Sequence, residues 1–185
     1  MKRIFSLSLL LLTTLTLYGY CNIIPQPLSL VKGDGQYTID KHTTIYCNEE
    51  LKRAADYLQI YLPIEQANDK GENSIRLILD KTLGSEEYSL EVNKSGIEIR
   101  GGEYGGVFNG IQSLLQLLPH DVYGKRAQLP MKAPYVEIKD KPQYHYRGLL
   151  FDVARTFQPI EEIKRVIDYM AYLKLNKLHF HLVDD

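Results

Sequence analysis

The spacing of apolar residues divides the chain into two parts, with a change of pattern near residue 143. In residues 22–142, short stretches typical of half-buried strands surround two stretches with apolar residues at helical spacing. This part is predicted to be an α+β domain in which helices lie on a sheet. The pattern predicts helices at 51–62 and 104–118 and strands at 36–39, 43–47, 74–79, 88–92, 97–100 and 135–138.

Glycine and proline mark the breaks in this first part. The glycines in residues 31–35 predict a turn, and the prolines in 119–142 predict a connector that holds one short strand. The run Gly-Gly-Glu-Tyr-Gly-Gly at 101–106 opens the second helix, but it lacks the Gly-Lys-Ser/Thr and the spacing of nucleotide-binding loops. We therefore interpret these glycines as places where a helix packs closely on a sheet.

The second part of the chain has the pattern of apolar residues that is typical of an α/β protein. Residues 148–153 are almost continuously apolar, as in a strand buried on both faces of a parallel sheet. A helix is predicted from Pro159 to Lys174, followed by a second buried strand at 177–183. Strand, helix and strand form one right-handed βαβ unit, which cannot bury its own apolar surface. The helix is predicted to bury the stripe Ile160, Ile163, Ile167, Met170 and Ala171.

Length and charge narrow the possible functions. At 185 residues the chain is shorter than the roughly 250 residues of a complete eight-stranded barrel. Its 22 basic and 23 acidic residues give a formal net charge of -1, and it has no long basic run. We therefore expect no nucleic acid partner, because the electrostatic footprint for a phosphate backbone is missing.

The first residues are typical of a secretory signal peptide. Lys2 and Arg3 precede an apolar stretch at 4–17, which is shorter than the about 20 residues of a membrane-spanning helix. We predict a signal peptide at 1–21 and an exported protein that is periplasmic, associated with the outer membrane or secreted. Cleavage before Cys21 would instead place a lipid anchor on that residue, the one membrane attachment that we expect.

Polar residues follow both strands of the predicted βαβ unit at their carboxyl ends, where such architectures place binding sites. Arg155 follows the first strand, and Asp184 and Asp185 follow the second. A guanidinium that faces a carboxylate suits the vicinal hydroxyls of a sugar. The same residues fit an ion pair that joins two strand ends, and the residues by themselves leave both interpretations open.

Two histidines suggest an alternative function. His179 and His181 are two residues apart and share one face of the second strand, which is also the geometry of a two-histidine metal site. A metal-dependent barrel hydrolase is therefore an alternative. The pair is predicted to lie in mid-strand, and no third ligand stands at a suitable spacing. We favour histidines that pack against neighbouring polar groups.

Two motifs carry a resemblance to a known family. The stretch Arg-Gly-Leu-Leu-Phe-Asp-Val-Ala-Arg at 147–155 and the stretch Leu-His-Phe-His-Leu-Val-Asp-Asp at 178–185 resemble family 20 glycoside hydrolases, the β-N-acetylhexosaminidases. Residues 87–118 are similar to the small α+β domain that precedes the barrel in that family. The resemblance implies an accessory domain at 22–142 and, at 143–185, the first βαβ unit of a (β/α)8 TIM barrel.

The resemblance also implies roles for individual residues. Arg155 and Asp184 match residues that bind the terminal sugar, while Thr156 departs from the histidine that many members carry. Supporting roles are expected for Arg147, Asp152, His181 and Asp185.

The chemistry implied by the resemblance is substrate-assisted glycoside hydrolysis. In this family a neighbouring aspartate and glutamate stand on a later barrel strand. The glutamic acid protonates the leaving oxygen, and the aspartate orients the substrate's own acetamido group as nucleophile. The sequence contains no adjacent Asp-Glu pair, so we expect these residues to be inactive by themselves.

The whole enzyme is expected to release terminal, non-reducing β-linked GlcNAc or GalNAc from glycans or chitooligosaccharides, without metal or organic cofactor. A non-catalytic carbohydrate-binding protein is the second alternative.

Overall fold

The computed structural model describes residues 23–69, 71–124 and 128–184. The predicted signal peptide at 1–21, with Cys21, and the terminal Asp185 lie outside the described residues, so these predictions stay predictions. Within the described ranges, no helix combines the length and the apolar character needed to cross a membrane.

The described chain forms two sheets and three α-helices. The first sheet has seven strands in the order β1-β7-β5-β6-β4-β2-β3, and the second consists of β8 and β9 in parallel. The strands are β1 Ser29–Ile39, β2 Thr44–Tyr46, β3 Glu65–Ala67, β4 Ser74–Leu79, β5 Tyr88–Asn93, β6 Gly96–Gly101, β7 Met131–Asp140, β8 Gly148–Asp152 and β9 Lys177–His181. The helices are α1 Lys52–Tyr61, α2 Tyr104–Leu117 and α3 Ile160–Tyr172, with short 3₁₀ turns at Glu49–Leu51 and His120–Tyr123.

We call the seven-stranded sheet with α1 and α2 the sheet domain, and β8, α3 and β9 the βαβ unit. The predicted α+β and α/β classes are confirmed for these two parts. Residues at helical spacing on α1 and α2 join the inward side chains of the sheet in one core. Asn48 caps the 3₁₀ turn that precedes α1, since its Oδ1 accepts a hydrogen bond from Leu51 N at 3.2 Å.

The prediction of a turn at 31–35 is wrong, because these residues belong to the long strand β1. Its pairing with β7 shifts register between Lys32 and Gln36, so the glycines lie in a β-bulge. Gly35 has φ 125°, and a Cβ there would lie 2.5 Å from the ring of Tyr135. Glycine at position 35 therefore allows the positive φ and leaves room for the ring of Tyr135. The predicted connector at 119–142 contains the whole of the long strand β7, of which only 135–138 was predicted.

The glycine run at 101–106 provides close packing, as predicted. A Cβ on Gly102 would lie 2.0 Å from Gly84 O, and one on Gly106 would lie 2.3 Å from Glu87 O. Gly102 N also donates to Glu87 O at 3.1 Å. The start of α2 thus holds the loop at 84–87 by backbone contact, a partner that we did not predict.

The βαβ unit exposes apolar surface. Leu150 on β8 is 58% exposed, and Ile160 and Ile167 on α3 are exposed as well, whereas Met170 is buried. The prediction of a fully buried strand and a fully buried stripe is therefore wrong for the described chain. No other described element covers this face, in agreement with the prediction that one such unit cannot bury its own apolar surface.

A buried polar cluster joins the end of α3 to the sheet domain. Lys174, only 6% exposed, donates from Nζ to Tyr88 Oη at 2.8 Å and to Asp140 Oδ2 at 3.3 Å. Ser113 Oγ lies 2.7 Å from the same phenol oxygen. Burial lowers the pKa of Lys174, and the charge of Asp140 opposes that effect.

Aromatic rings make a second connection between the two parts. The Tyr123 ring lies 5.7 Å from the ring of Tyr172 on α3 and 5.7 Å from the ring of Tyr61 on α1, both edge to face. Further ring contacts extend this cluster along α1 and α2 through Tyr57, Tyr104 and Phe108.

We predict that Gly106→Ala destabilises the protein by about 1–3 kcal/mol, because the new methyl group would displace the backbone at Glu87. Gly105→Ala is the matched control, since its Cβ would lie at 3.4 Å from Glu86 Cγ, near ordinary contact. Gly105→Ala should instead stabilise the protein by about 0.5–1 kcal/mol, because alanine is favoured over glycine within a helix. Urea unfolding of both variants measures the difference, and equal midpoints would contradict the packing role of Gly106.

Candidate functional site

Four polar residues collect at the carboxyl end of the β8–β9 pair. The strands are parallel and in register, with Asp152 opposite His181 as the last pair. Arg155 and Asp184 lie three residues beyond these positions. Because parallel strands end at the same edge of a sheet, the four side chains come together there, as the sequence predicted for Arg155 and Asp184.

Asp152 fixes the start of the loop that carries Arg155. Its Oδ1 accepts from Ala154 N at 3.0 Å and from Arg155 N at 3.1 Å, and its Oδ2 accepts from Arg155 Nη1 at 3.0 Å. The amide of Arg155 is the main reason that the pKa of Asp152 lies below its usual range. The carboxylate therefore keeps these contacts through the ordinary pKa of aspartate and loses them as the pH falls through its lowered value.

Arg155 bridges the two strand ends. Its Nη1 contacts Asp152, and its Nε lies 3.5 Å from Asp184 Oδ2. His181 Nε2 lies 2.6 Å from Asp184 Oδ1, so Asp184 is held from two sides. The side chains of Arg155 and Asp184 are nevertheless 71% and 46% exposed.

This geometry is compatible with both interpretations of the sequence, a structural ion pair and a site for sugar hydroxyls. The ion pair that joins two strand ends is present, and its exposed donors and acceptors are open to a polar ligand. A guanidinium beside a carboxylate offers the donors and acceptors that sugar hydroxyls need. Asp152 is held ionised by its neighbours, which makes it a poor proton donor for bond cleavage. The arrangement is therefore suited to holding a polyol rather than to acid catalysis.

The structure does not favour the metal alternative. Among the residues that the structure describes, no group of three or more His, Cys, Asp or Glu side chains is placed to hold a metal ion. The strand β9 ends at His181, two residues earlier than predicted, so His181 lies at the strand end and not in mid-strand. It contacts Asp184, in agreement with the prediction of a histidine packed against a polar neighbour. His179 is exposed.

Arg147 lies at the opposite end of β8 from Arg155. Its guanidinium binds Glu86 of the sheet domain, with Nη2 at 2.6 Å from Oε1 and Nη1 at 3.1 Å from Oε2. The predicted supporting residues are therefore separated, since Asp152 and His181 contact the Arg155 pair and Arg147 does not. Asp185 lies outside the described residues.

Sequence reasoning missed Glu86 as a partner of the barrel strands. Glu86 lies in the loop between β4 and β5 of the sheet domain, and no motif around it indicates a contact with the βαβ unit. The available signal was the polar residue directly before each strand, Arg147 before β8 and Asn176 before β9. Their shared partner is 61 residues from one and 90 from the other, too far for local patterns to reveal.

Comparison with known proteins gives a consistent result along the chain. Residues 20–141 match "Glycosyl hydrolase family 20, domain 2", and residues 144–185 match "Glycosyl hydrolase family 20, catalytic domain". The chain is 41% identical over 176 residues to a β-hexosaminidase of Porphyromonas gingivalis, covering 89% of this chain and 23% of that protein. It is 31% identical over 168 residues to a β-hexosaminidase of Vibrio furnissii, with 89% and 26% covered.

A solved structure is similar as well. A mutant β-hexosaminidase from Streptomyces plicatus, in complex with its product GlcNAc, superposes with a TM-score of 0.81 and 36% sequence identity. The match covers 88% of this chain and 34% of that one. The chain thus spans about a quarter of the length of the two curated relatives, 23% and 26%.

We predict that Asp152→Ala frees the loop of Arg155. Removing the carboxylate takes away the acceptor of the Ala154 and Arg155 amides, so both should exchange hydrogen for deuterium severalfold faster. Asp168→Ala, at an exposed position on α3, serves as the control. Hydrogen exchange with mass spectrometry at neutral pH measures the effect. Unchanged exchange in this loop would show that Asp152 does not order it.

Proposed function

The chain belongs to glycosyl hydrolase family 20, and from this membership we propose that it is the amino-terminal portion of an exported β-N-acetylhexosaminidase. The whole enzyme would remove terminal, non-reducing β-linked GlcNAc or GalNAc from glycans or chitooligosaccharides. The observation that carries the proposal is the exposed Arg155–Asp184 pair at the carboxyl end of the β8–β9 sheet. It is supported by the matches to both family domains and by the GlcNAc complex of the Streptomyces plicatus relative.

The proposed division of labour follows from the chemistry of the pair. Arg155 and Asp184 would hold hydroxyls of the terminal sugar, while Asp152 and His181 keep them in place. The bond would be broken by an adjacent aspartate and glutamate from the rest of the barrel. The glutamic acid gives its proton to the leaving oxygen, and the acetamido oxygen attacks the anomeric carbon to form an oxazolinium ion, which water then opens with net retention.

The remaining parts of the proposal concern organisation and location. Residues 1–21 would be a signal peptide or, if Cys21 is lipidated, a lipoprotein signal. Residues 22–142 would form the accessory domain, and residues 143–185 the beginning of the barrel. The basic start and the apolar stretch of the sequence support export.

We predict that Arg155→Ala lowers kcat/KM of the full-length enzyme for a chromogenic N-acetylglucosaminide by about a hundredfold or more. This is the factor expected for losing two hydrogen bonds from a charged group to substrate. Arg165→Ala is the matched control, because Arg165 is also exposed but pairs with Glu162 on α3. Near-normal kinetics of Arg155→Ala would contradict the assigned role. A wild-type enzyme that binds N-acetylated sugars without cleaving them would instead support the carbohydrate-binding alternative.

We further predict that chelation leaves the activity unchanged. Sugar binding by Arg155 and Asp184 and catalysis by the acetamido group require no metal ion. Incubation of the full-length enzyme with EDTA, followed by an assay with and without added Zn²⁺, checks this. Loss of activity that Zn²⁺ restores would favour the metal-dependent hydrolase with His179 and His181.

A further inference from the structure

One carboxylate of the sheet domain contacts the start of both strands that carry the sugar site. We propose that Glu86 is a positioning residue, which sets the place of the Arg155–Asp184 pair by holding the amino ends of β8 and β9. This inference rests on the proposed function, since it concerns how the sugar pocket is held. It adds a role for the sheet domain in that function.

The ion pair between Glu86 and Arg147 is bidentate. Both carboxylate oxygens accept from the guanidinium, at 2.6 Å from Nη2 and 3.1 Å from Nη1. The side chains are only 25% and 15% exposed, so water competes weakly for the pair. The bond to Arg147 is the main reason that the pKa of Glu86 lies below its usual range. A bidentate pair of this kind fixes orientation as well as distance.

Asn176 extends the contact to the second strand. Its Nδ2 lies 3.4 Å from each carboxylate oxygen of Glu86, and its Oδ1 accepts from Arg147 N at 3.0 Å. Asn176 N donates to Arg147 O at 2.9 Å. Arg147 directly precedes β8 and Asn176 directly precedes β9. Glu86 therefore contacts the residue directly before each strand.

Glu86 is itself held by the glycine-rich start of α2. Asn109 Nδ2 donates to Glu86 O at 3.4 Å, and Gly102 N donates to Glu87 O at 3.1 Å. The Cβ positions of Gly102 and Gly106 are taken up by the backbone of the loop at 84–87. The carboxylate is thus presented from a fixed loop and not from a free one.

Arg147 connects this fixed point to further backbone of the βαβ unit. Its Nε donates to Lys174 O at 2.9 Å, and its Nη1 donates to Tyr144 O at 2.7 Å. Lys174 is buried against Tyr88 and Asp140 of the sheet domain. The guanidinium therefore ties the strand start, the end of α3 and the sheet domain together.

The strands transmit this anchoring to the sugar pocket. At about 3.3 Å per residue, β8 carries a displacement over roughly 17 Å from Arg147 to Asp152, which holds Arg155. The same holds for β9, from Asn176 to His181, which holds Asp184. A displacement of about 1 Å at a binding site can cost on the order of 100-fold in rate. A displacement at the amino ends of the strands therefore also moves Arg155 and Asp184, the residues proposed to bind the sugar.

The test is a mutant cycle in the full-length enzyme, assayed with a chromogenic N-acetylglucosaminide well below the unfolding temperature. We expect Glu86→Ala to lower kcat/KM about tenfold, with KM raised, and Glu86→Gln to have a smaller effect because it keeps one acceptor. Glu91→Ala is the control, since this exposed carboxylate on β5 pairs with Asn93 and lies within the sheet domain. It should leave kcat/KM unchanged.

The second half of the cycle separates positioning from general stability. If Glu86 acts through the Arg155 pocket, Glu86→Ala should cost less than twofold when it is added to Arg155→Ala. The inference is overturned if Glu86→Ala lowers kcat/KM by the same factor in the wild-type enzyme and in Arg155→Ala. It is also overturned if Glu86→Ala leaves kcat/KM of the wild-type enzyme unchanged. A wild-type enzyme without hydrolytic activity would refute the proposed function itself, so the two failures are distinguishable.

Discussion

The parallel, in-register pairing of β8 with β9 is the constraint on which the arrangement of functional residues depends. Because the two strands run in the same direction, residues that follow them meet at one edge, and residues that precede them meet at the other. A slip of one residue would turn each side chain to the opposite face of the sheet. The register therefore determines both the Arg155–Asp184 pair and the contact of Arg147 with Asn176.

The connection between the βαβ unit and the sheet domain relies on buried polar groups. Taking the Lys174 ammonium out of water costs free energy, which is offset only if its partners are correctly placed. Tyr88 and Asp140 supply those partners, and no buried polar side-chain atom in the described residues lacks one. Lys174 also has φ 58°, a conformation closed by the bond from Leu175 N to Met170 O at 2.8 Å. Separating the two parts would take these partners away from the Lys174 ammonium.

Local patterns predicted most elements of the fold, and the failures have physical reasons. The six residues of β4 follow their pattern from Ser74 to Leu79, since both the strand and its partners are set by apolar spacing. The glycines at 31–35 predict a turn, whereas the structure has a bulge of β1 there, because glycine favours both features. Pro134 argued against a strand, yet it pairs with Gln36 at the bulge, where a missing N–H donor is tolerated. The short edge strand β3 carries only polar residues and alanine, so no periodicity marked it.

The candidate site was predictable only at the carboxyl ends of β8 and β9, where the order of strands and following residues in the sequence is enough. Arg155 and Asp184 follow predicted parallel strands, and that alone places them together. Glu86 meets Arg147 through a loop whose position depends on the backbone contacts of Gly102 and Gly106, which no spacing rule relates to the barrel. The glycine run and the proposed sugar site are thus connected through a continuous series of contacts. The helix start fixes a loop, the loop fixes the Glu86 carboxylate, and the carboxylate holds two strands whose far ends carry the proposed sugar-binding pair.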